Sequence, residues 1–407
     1  MITSYDDTIC VLLAGGQGSR LHPLTADRAK PSVPFGGKYR IVDFTLSNCL
    51  HSGIRRVLVL TQYKSHSLQK HLRDAWSIFN PELGEYITAV PPQMRTGDSW
   101  YSGTADAIFQ NLYLLQRSGA KRVIILSGDH IYRMDYAAML RCHDEQQAEL
   151  SVACMRVPLS GANAFGIVTV DDADRVTQFT EKPESPASLP GDKDYALASM
   201  GIYVFNMDVL SSVLQLDKVN AHSSHDFGND LLPRLIHSHR VCGYQFGGVD
   251  GRVSPDRYWR DVGTLDSYFD ANMDLLTATP PLDLYQDSWP IRTYHGQHPP
   301  ARVVSGAHGR GTIDNSMLGS GSVVSGGTVI NSILSARVSI EDGAQVESCI
   351  LFDNVSVGAG AKLRRCIVDK DVQIPPGTQI GFDQQADAAR FHISPNGIVA
   401  VPKLWNA

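Results

Sequence analysis

The sequence predicts an α/β domain with a mainly parallel sheet, followed by a parallel β-helix. Three observations predict it. Over residues 1–280, apolar runs alternate with amphipathic stretches, the rhythm of strand–helix–strand units. A proline-rich connector then spans residues 281–300, with Pro280-Pro281 at its start, Trp289-Pro290 inside and Pro299-Pro300 at its end. Such a stretch continues neither a helix nor a central strand. Residues 301–407 repeat themselves.

In the first part, Thr8–Ala14, Val57–Thr61, Val123–Ser127 and Leu150–Met155 read as buried strands. Gly103–Arg117 and Asp135–Gln147 read as helices between them. Sheets of this kind place ligands beyond the carboxyl ends of their strands. In the last part, Val323, Ile340, Val357 and Ile374 recur every 17 residues. Val329, Val346, Leu363 and Ile380 keep the same period, as do Gly326, Gly343, Gly360 and Gly377. Aliphatics six apart within each repeat indicate hexapeptide-like turns, three to a coil, with glycine at a tight corner. Cys349 and Cys366 sit one coil apart and read as buried members of the stack.

Composition narrows the function classes. The chain has 407 residues, 43% apolar and 19% charged, with net charge −6. That length suits two or three domains. The acidic balance lacks the basic footprint of nucleic-acid or membrane-surface binding. The apolar run Ile9–Ala14 is short, with Asp6 and Asp7 ahead of it, unlike an export signal. No run approaches the ~18 apolar residues of a membrane helix. Seven scattered cysteines without a C-x-x-C pair suit reduced thiols in a cytoplasm.

The strand Thr8–Ala14 runs straight into Ala14-Gly15-Gly16-Gln17-Gly18-Ser19-Arg20. Glycines after a strand let backbone N–H groups cradle a phosphate. The loop is not a P-loop, and Leu21 stands where a dinucleotide fingerprint needs its third glycine. Arg20 beside the loop and Arg28-Ala29-Lys30-Pro31 shortly after supply the cations that phosphoryl transfer needs. His222 and His225 form an H-x-x-H pair without an evident third ligand. Without that third ligand it does not read as a zinc site.

The stretch LLAGGQGSRLHPLTADRAKPSVPFGGKYRIVDFTLSNC resembles the signature of bacterial ADP-glucose pyrophosphorylases. TQYKSHSL, SWYSGTADA, SGDHIYRMDY, AFGIVTV, FTEKP, SMGIYVF, HDFGNDLLP, YWRDVGTLD and WPIRTY extend the likeness in order along nearly the whole chain. The resemblance implies a Rossmann-like nucleotidyltransferase domain and a C-terminal left-handed parallel β-helix. It implies ATP and glucose 1-phosphate as substrates, ADP-glucose as product, and Mg²⁺ as cofactor. Arg20, Lys30, Asp129 and Asp261 take the catalytic positions, the two aspartates as metal ligands. Ala14, Gly15, Gly16, Gln93, Tyr101 and Gly103 match the nucleotide side, although Tyr101 suits a buried aromatic equally well. Gly166, Glu181, Lys182 and Ser199 match the glucose 1-phosphate side. The likeness also puts His222 and His225 in a loop leading to a helix, with Asp226 as its cap.

The family is usually a homotetramer controlled by sugar phosphates or pyruvate as activators and AMP-like inhibitors. Arg28, Arg40 and Arg117 match its effector arginines, with Arg364, Arg365 and Lys370 as looser candidates. Asp27 stands where enteric relatives carry a lysine, which argues against a bisphosphate activator. A shorter segment ahead of the glycine loop implies higher basal activity than in those relatives. The rival readings are a sugar nucleotidyltransferase for another base, and a non-catalytic regulatory subunit of the same family. A hexapeptide acyltransferase would need a catalytic base in the repeat, where His308 and His392 stand only at the margins.

Overall fold

A computed structural model describes residues 5–16, 18–93, 100–247, 253, 257–307, 309–403 and 405. Gln17 of the glycine loop and His308 therefore lie outside the described residues. Nine strands form the main sheet of the first domain. Tyr86–Val90, Arg56–Thr61, Thr8–Ala14 and Arg122–Ser127 lie side by side and parallel. Tyr195–Asn206 runs antiparallel beside them and carries Leu150–Pro158, with Val241–Gln245 parallel beyond it. The alternation of the first strand explains its burial on both faces. Ile9 and Val11 enter one apolar cluster, and Cys10, Leu12 and Ala14 enter the other.

Two expectations about helices resolve differently. Asp135 caps the helix Tyr136–Glu145, accepting a hydrogen bond from Ala137 N–H at 3.0 Å. The stretch 103–117 is two helices, Thr104–Gln110 and Leu112–Arg117. Asn111 breaks them: its side-chain amide donates to the Ala107 carbonyl at 2.8 Å and to the Tyr101 hydroxyl at 3.0 Å. An asparagine that bonds nearby backbone offers the chain an alternative to continued helix.

The last third is a β-helix whose coils stack as parallel strands in three sheets, one for each side of a coil, with His392–Ile393 added antiparallel at the edge of one. Val329, Val346, Leu363 and Ile380 lie in one column, and Ile340, Val357 and Ile374 in another. Gly326, Gly343, Gly360 and Gly377 all hold φ near +70°, the left-handed corner that favours glycine. The first coil corrects the expected register. Val324, not Val323, lies beneath Ile340, because Val323 pairs with Ser339. The corner between Val324 and Val329 is one residue shorter than that between Ile340 and Val346. Cys349 and Cys366 are buried in the stack as free thiols.

One apolar cluster joins the two parts. Phe35, Phe44 and Tyr268 from the first meet Ile333, Ile350, Phe352 and Ile367 from the β-helix. Across the same junction Arg28 pairs with Asp369 at 2.8 Å, both buried. The connector is packed as well: Trp289 is buried and its indole N–H donates to Asn48 at 3.0 Å.

Candidate active site

The parallel register fixes where the glycine loop ends up. Leu13 lies beside Ser127, and Ala14 beside Thr61. The loop from Gly15 is thus flanked by Gly128-Asp129 on one side and Gln62 on the other. Gly18 has φ +60° and precedes a short helical turn, Ser19–Leu21, that carries Arg20. A second pairing brings in the distant acid. Trp259–Asp261 runs antiparallel to His130–Tyr132, which sets Asp261 opposite His130.

At this convergence the Lys30 ammonium donates to Asp129 at 2.9 Å and to Asp261 at 3.0 Å. Burial alone would lower the Lys30 pKa, but the two carboxylates override it and raise it. Burial likewise pushes Asp129 up, and His130, Lys30 and the Ser127 hydroxyl hold it well below the usual carboxylate range. The Arg20 guanidinium is close by: a Cβ on Gly263 would lie 3.2 Å from its Nη2 and 3.0 Å from an Asp261 oxygen. Arg20, Lys30, Asp129 and Asp261 are therefore brought together.

His130 joins them, and sequence reading missed it. Ligand atoms of Asp129, His130 and Asp261 lie within 4.8 Å of one another. The His130 Nε2 is 3.5 Å from Asp129, its Nδ1 is buried without a hydrogen-bond partner, and its ring stands 4.7 Å from Trp259. Two carboxylates flanked by an imidazole suit a divalent cation. The signal was adjacency to Asp129, but only the strand pairing gives it meaning.

The sugar-side candidates form a second cluster. Ser199 N–H donates to the Gly166 carbonyl at 2.8 Å, and Lys182 N–H to Phe165 at 3.1 Å. Glu181 faces Gly166 so closely that a Cβ there would lie 2.7 Å from its carboxylate. The exposed Lys182 ammonium pairs with Glu181 at 3.0 Å. On the base side, Gln62 abuts Gly15 and reaches toward the Tyr101 carbonyl at 3.5 Å. Tyr101 is half-buried against the apolar face of the sheet, and burial raises its pKa. Gln93 is exposed and bonds locally to the Pro91 carbonyl at 2.8 Å, a contact that reaches neither Tyr101 nor Gly103.

The effector candidates separate. A cleft of about 950 Å³ opens between the first domain and the β-helix, lined by Arg40, Lys70, His71, Arg337, Asp353 and Lys370 among others. Arg40 is tied to the Ser32 carbonyl at 2.6 Å, and burial lowers its pKa. Lys370 pairs with Asp353; burial lowers its pKa although Asp353 opposes this. Arg28 is buried in its pair with Asp369, and Arg117 is exposed at the end of its helix. Neither lines the cleft, nor do Arg364 and Arg365. As expected, Asp226 caps the segment Phe227–Leu231, accepting from Gly228 and Asn229. His225 of the H-x-x-H pair bonds Asp217.

Residues 9–278 match the nucleotidyl transferase family, and residues 299–401 match the GlmU-like C-terminal hexapeptide family. The chain is 63% identical over 400 residues to glucose-1-phosphate adenylyltransferase 2 of Vibrio vulnificus strain YJ016, covering 98% of this chain and 99% of that one. It is 61% identical over 400 residues to the enzyme of the same name from Vibrio parahaemolyticus, with the same shares covered. Glucose-1-phosphate adenylyltransferase of Paramagnetospirillum magneticum is 48% identical over 398 residues, 97% of this chain and 93% of its own.

Proposed function

The chain belongs to the glucose-1-phosphate adenylyltransferases of the nucleotidyl transferase family, and we propose that it joins ATP and glucose 1-phosphate into ADP-glucose and diphosphate for glycogen synthesis. The observation that carries the site assignment is the meeting of Lys30, Asp129 and Asp261 beside Arg20, at the carboxyl ends of Thr8–Ala14 and Arg122–Ser127.

The reaction is an in-line displacement. A phosphate oxygen of glucose 1-phosphate bonds to the α-phosphorus of ATP, and diphosphate leaves with the electron pair of the broken P–O bond. Ala14, Gly15 and Gly16 present backbone to the triphosphate, while Tyr101 and Gly103 border the base. Gln93 matches the base side of the family. Asp129 and Asp261, with His130 beside them, would hold Mg²⁺, which supplies positive charge next to the α-phosphate and leaving group. Lys30 and Arg20 add to that charge where it develops. Glu181, Ser199 and Gly166 orient the glucose, and Lys182 holds its phosphate, converting an encounter into a positioned attack.

We assign residues 1–280 to catalysis and 301–407 to regulation and assembly, joined by the 281–300 connector. A sugar phosphate or pyruvate activator and an AMP-like inhibitor would occupy the cleft beside Arg40 and Lys370, in a cytoplasmic homotetramer. The candidates Arg28 and Arg117 would act there only indirectly. The deciding experiment measures diphosphate release from ATP, UTP, dTTP and GTP with glucose 1-phosphate and Mg²⁺, with and without fructose 6-phosphate, pyruvate and AMP. Turnover should be strongest with ATP and fall about 10³-fold in Asp129→Asn. Preference for another base would overturn the adenylyl assignment, and no turnover with any would point to a regulatory subunit.

A further inference from the structure

The H-x-x-H motif plays no part in the reaction as assigned, yet its second histidine is tied to a buried acid. Asp217, 3% exposed, is the penultimate residue of the helix Met207–Lys218. Its carboxylate meets His225 Nδ1 at 2.7 Å and accepts from the Ser223 hydroxyl at 2.7 Å. Ser223 in turn accepts from His225 N–H at 3.0 Å, and His225 holds φ +57°. Asp217 thus holds the His225 end of the turn, while Asp230 holds the following residues, accepting from the Ser224 hydroxyl and from Asp226 N–H at 3.1 Å.

What the turn touches gives this lock a purpose. Toward the base side, the His225 carbonyl accepts from Ala105 N–H at 2.8 Å, and a Cβ on Gly103 would lie 2.2 Å from it. Thr104 donates to Asp226 at 2.9 Å. Toward the sugar side, a Cβ on Gly228 would lie 2.6 Å from the Glu181 carboxylate. Four consecutive residues, 225–228, thus press on the nucleotide loop at one end and on a glucose ligand at the other. The next helix residue, Lys218, also grips the nucleotide loop, through Asp106 at 3.3 Å and its bond from Ser102 N–H.

We propose that Asp217 and His225 are a positioning pair that sets the distance between the nucleotide and sugar subsites, and so couples the binding of the two substrates. The inference rests on the subsite assignment above. Displacement requires the reacting atoms at about 3–3.5 Å, and small misplacements cost large factors in rate. A turn whose His225 end is held by Asp217 and which touches both subsites transmits loosening of that hold to both.

The test uses the full chain with His225→Ala, His225→Asn and Asp217→Asn. It measures kcat, both KM values, Tm, and calorimetric binding of glucose 1-phosphate with and without α,β-methylene-ATP. His225→Ala should lower kcat/KM for both substrates by about 10–100-fold and abolish the tightening of sugar binding by the analogue, with Tm nearly unchanged. His225→Asn should restore most of both, because its amide can take the Nδ1 hydrogen bond and asparagine accepts the left-handed backbone. Asp217→Asn, which leaves His225 in place, should lose coupling as the alanine variant does. Kinetics and coupling like the wild type in His225→Ala would overturn the proposal. So would a loss that merely follows Tm and that asparagine does not restore. The calorimetric coupling is read without turnover. An inactive wild-type chain would therefore sink the reaction assignment and still leave this test decisive.

Discussion

In the β-helix each coil repeats its neighbour: Val346 rests on Val329, Leu363 on Val346, and Ile380 on Leu363. In the catalytic domain the groups that meet at Lys30 come from 99 and 231 residues further along the chain. The first arrangement is redundant, since losing one contact leaves equivalent ones above and below. The second is not, since each partner is unique and sits on a different element. Stability and chemistry are therefore distributed differently, and the junction between the regions is where they should interfere.

The largest effect on stability is expected at the junction. Arg28→Met leaves Asp369, 1% exposed, with the Lys370 N–H at 2.6 Å but without its counter-charge. Breaking a buried pair from one side costs about 3–5 kcal/mol. Arg28→Met combined with Asp369→Leu should recover most of it, because the uncompensated charge is gone. Urea midpoints of the three proteins check this. Arg28 lies two residues before Lys30, so kcat/KM should fall in the single variant as well. A change in neither quantity would mean that the regions fold and work independently.

Inside the repeat the test is of register. Val324 is fully buried beneath Ile340, whereas Val323 is partly exposed. Val324→Ala should cost about 2 kcal/mol of stability, and Val323→Ala under about 0.5 kcal/mol. Neither should alter kcat, since neither residue lines the interdomain cleft or joins the apolar cluster at the junction. A strict 17-residue period predicts the reverse order, so thermal midpoints of the two variants decide between registers.

These two cases also show what the sequence could reveal. The β-helix was legible because its columns recur locally, and periodicity survives without knowledge of any tertiary contact. Its first coil misled because a corner one residue shorter shifts the pairing, and only the strand register records that. The α/β class was legible from alternating runs, whereas the break at Asn111 came from one side chain competing for backbone. At the site, the glycine loop and its cations stood out in chain order. The aspartates did so only through family likeness, since no local pattern says that Trp259–Asp261 pairs with His130–Tyr132. His130 was missed for that reason. The Asp217–His225 pair was missed because nothing local to His222 and His225 points to an acid eight residues back at a helix end.

The smallest expected effect lies at the amino ends of the parallel strands, opposite the glycine loop. There Asn206 pairs with Arg122, and His143, 1% exposed, bonds Ser151 at 2.8 Å and Asn206 at 3.2 Å. Burial lowers its pKa, although Asn206 partly opposes this. The folded chain thus keeps His143 neutral where the unfolded chain protonates it, below about 6.5. The unfolded state then binds the extra proton, so stability falls as pH drops from about 6.5 toward the lowered folded value. Above that window the imidazole is neutral in both states and contributes no pH dependence. In His143→Gln, whose amide can still bond Ser151 or Asn206, this contribution vanishes. Urea midpoints of the two proteins should therefore lie further apart at about pH 7.5 than at about pH 5.5. Comparing the pair cancels the other histidines, which titrate alike in both. Because this edge is remote from Lys30, the pH profile of kcat should be the same in the two proteins. A matching shift in kcat would mean that the two ends of the sheet are coupled, and that the catalytic domain shares more of the β-helix's cooperativity than its contacts suggest.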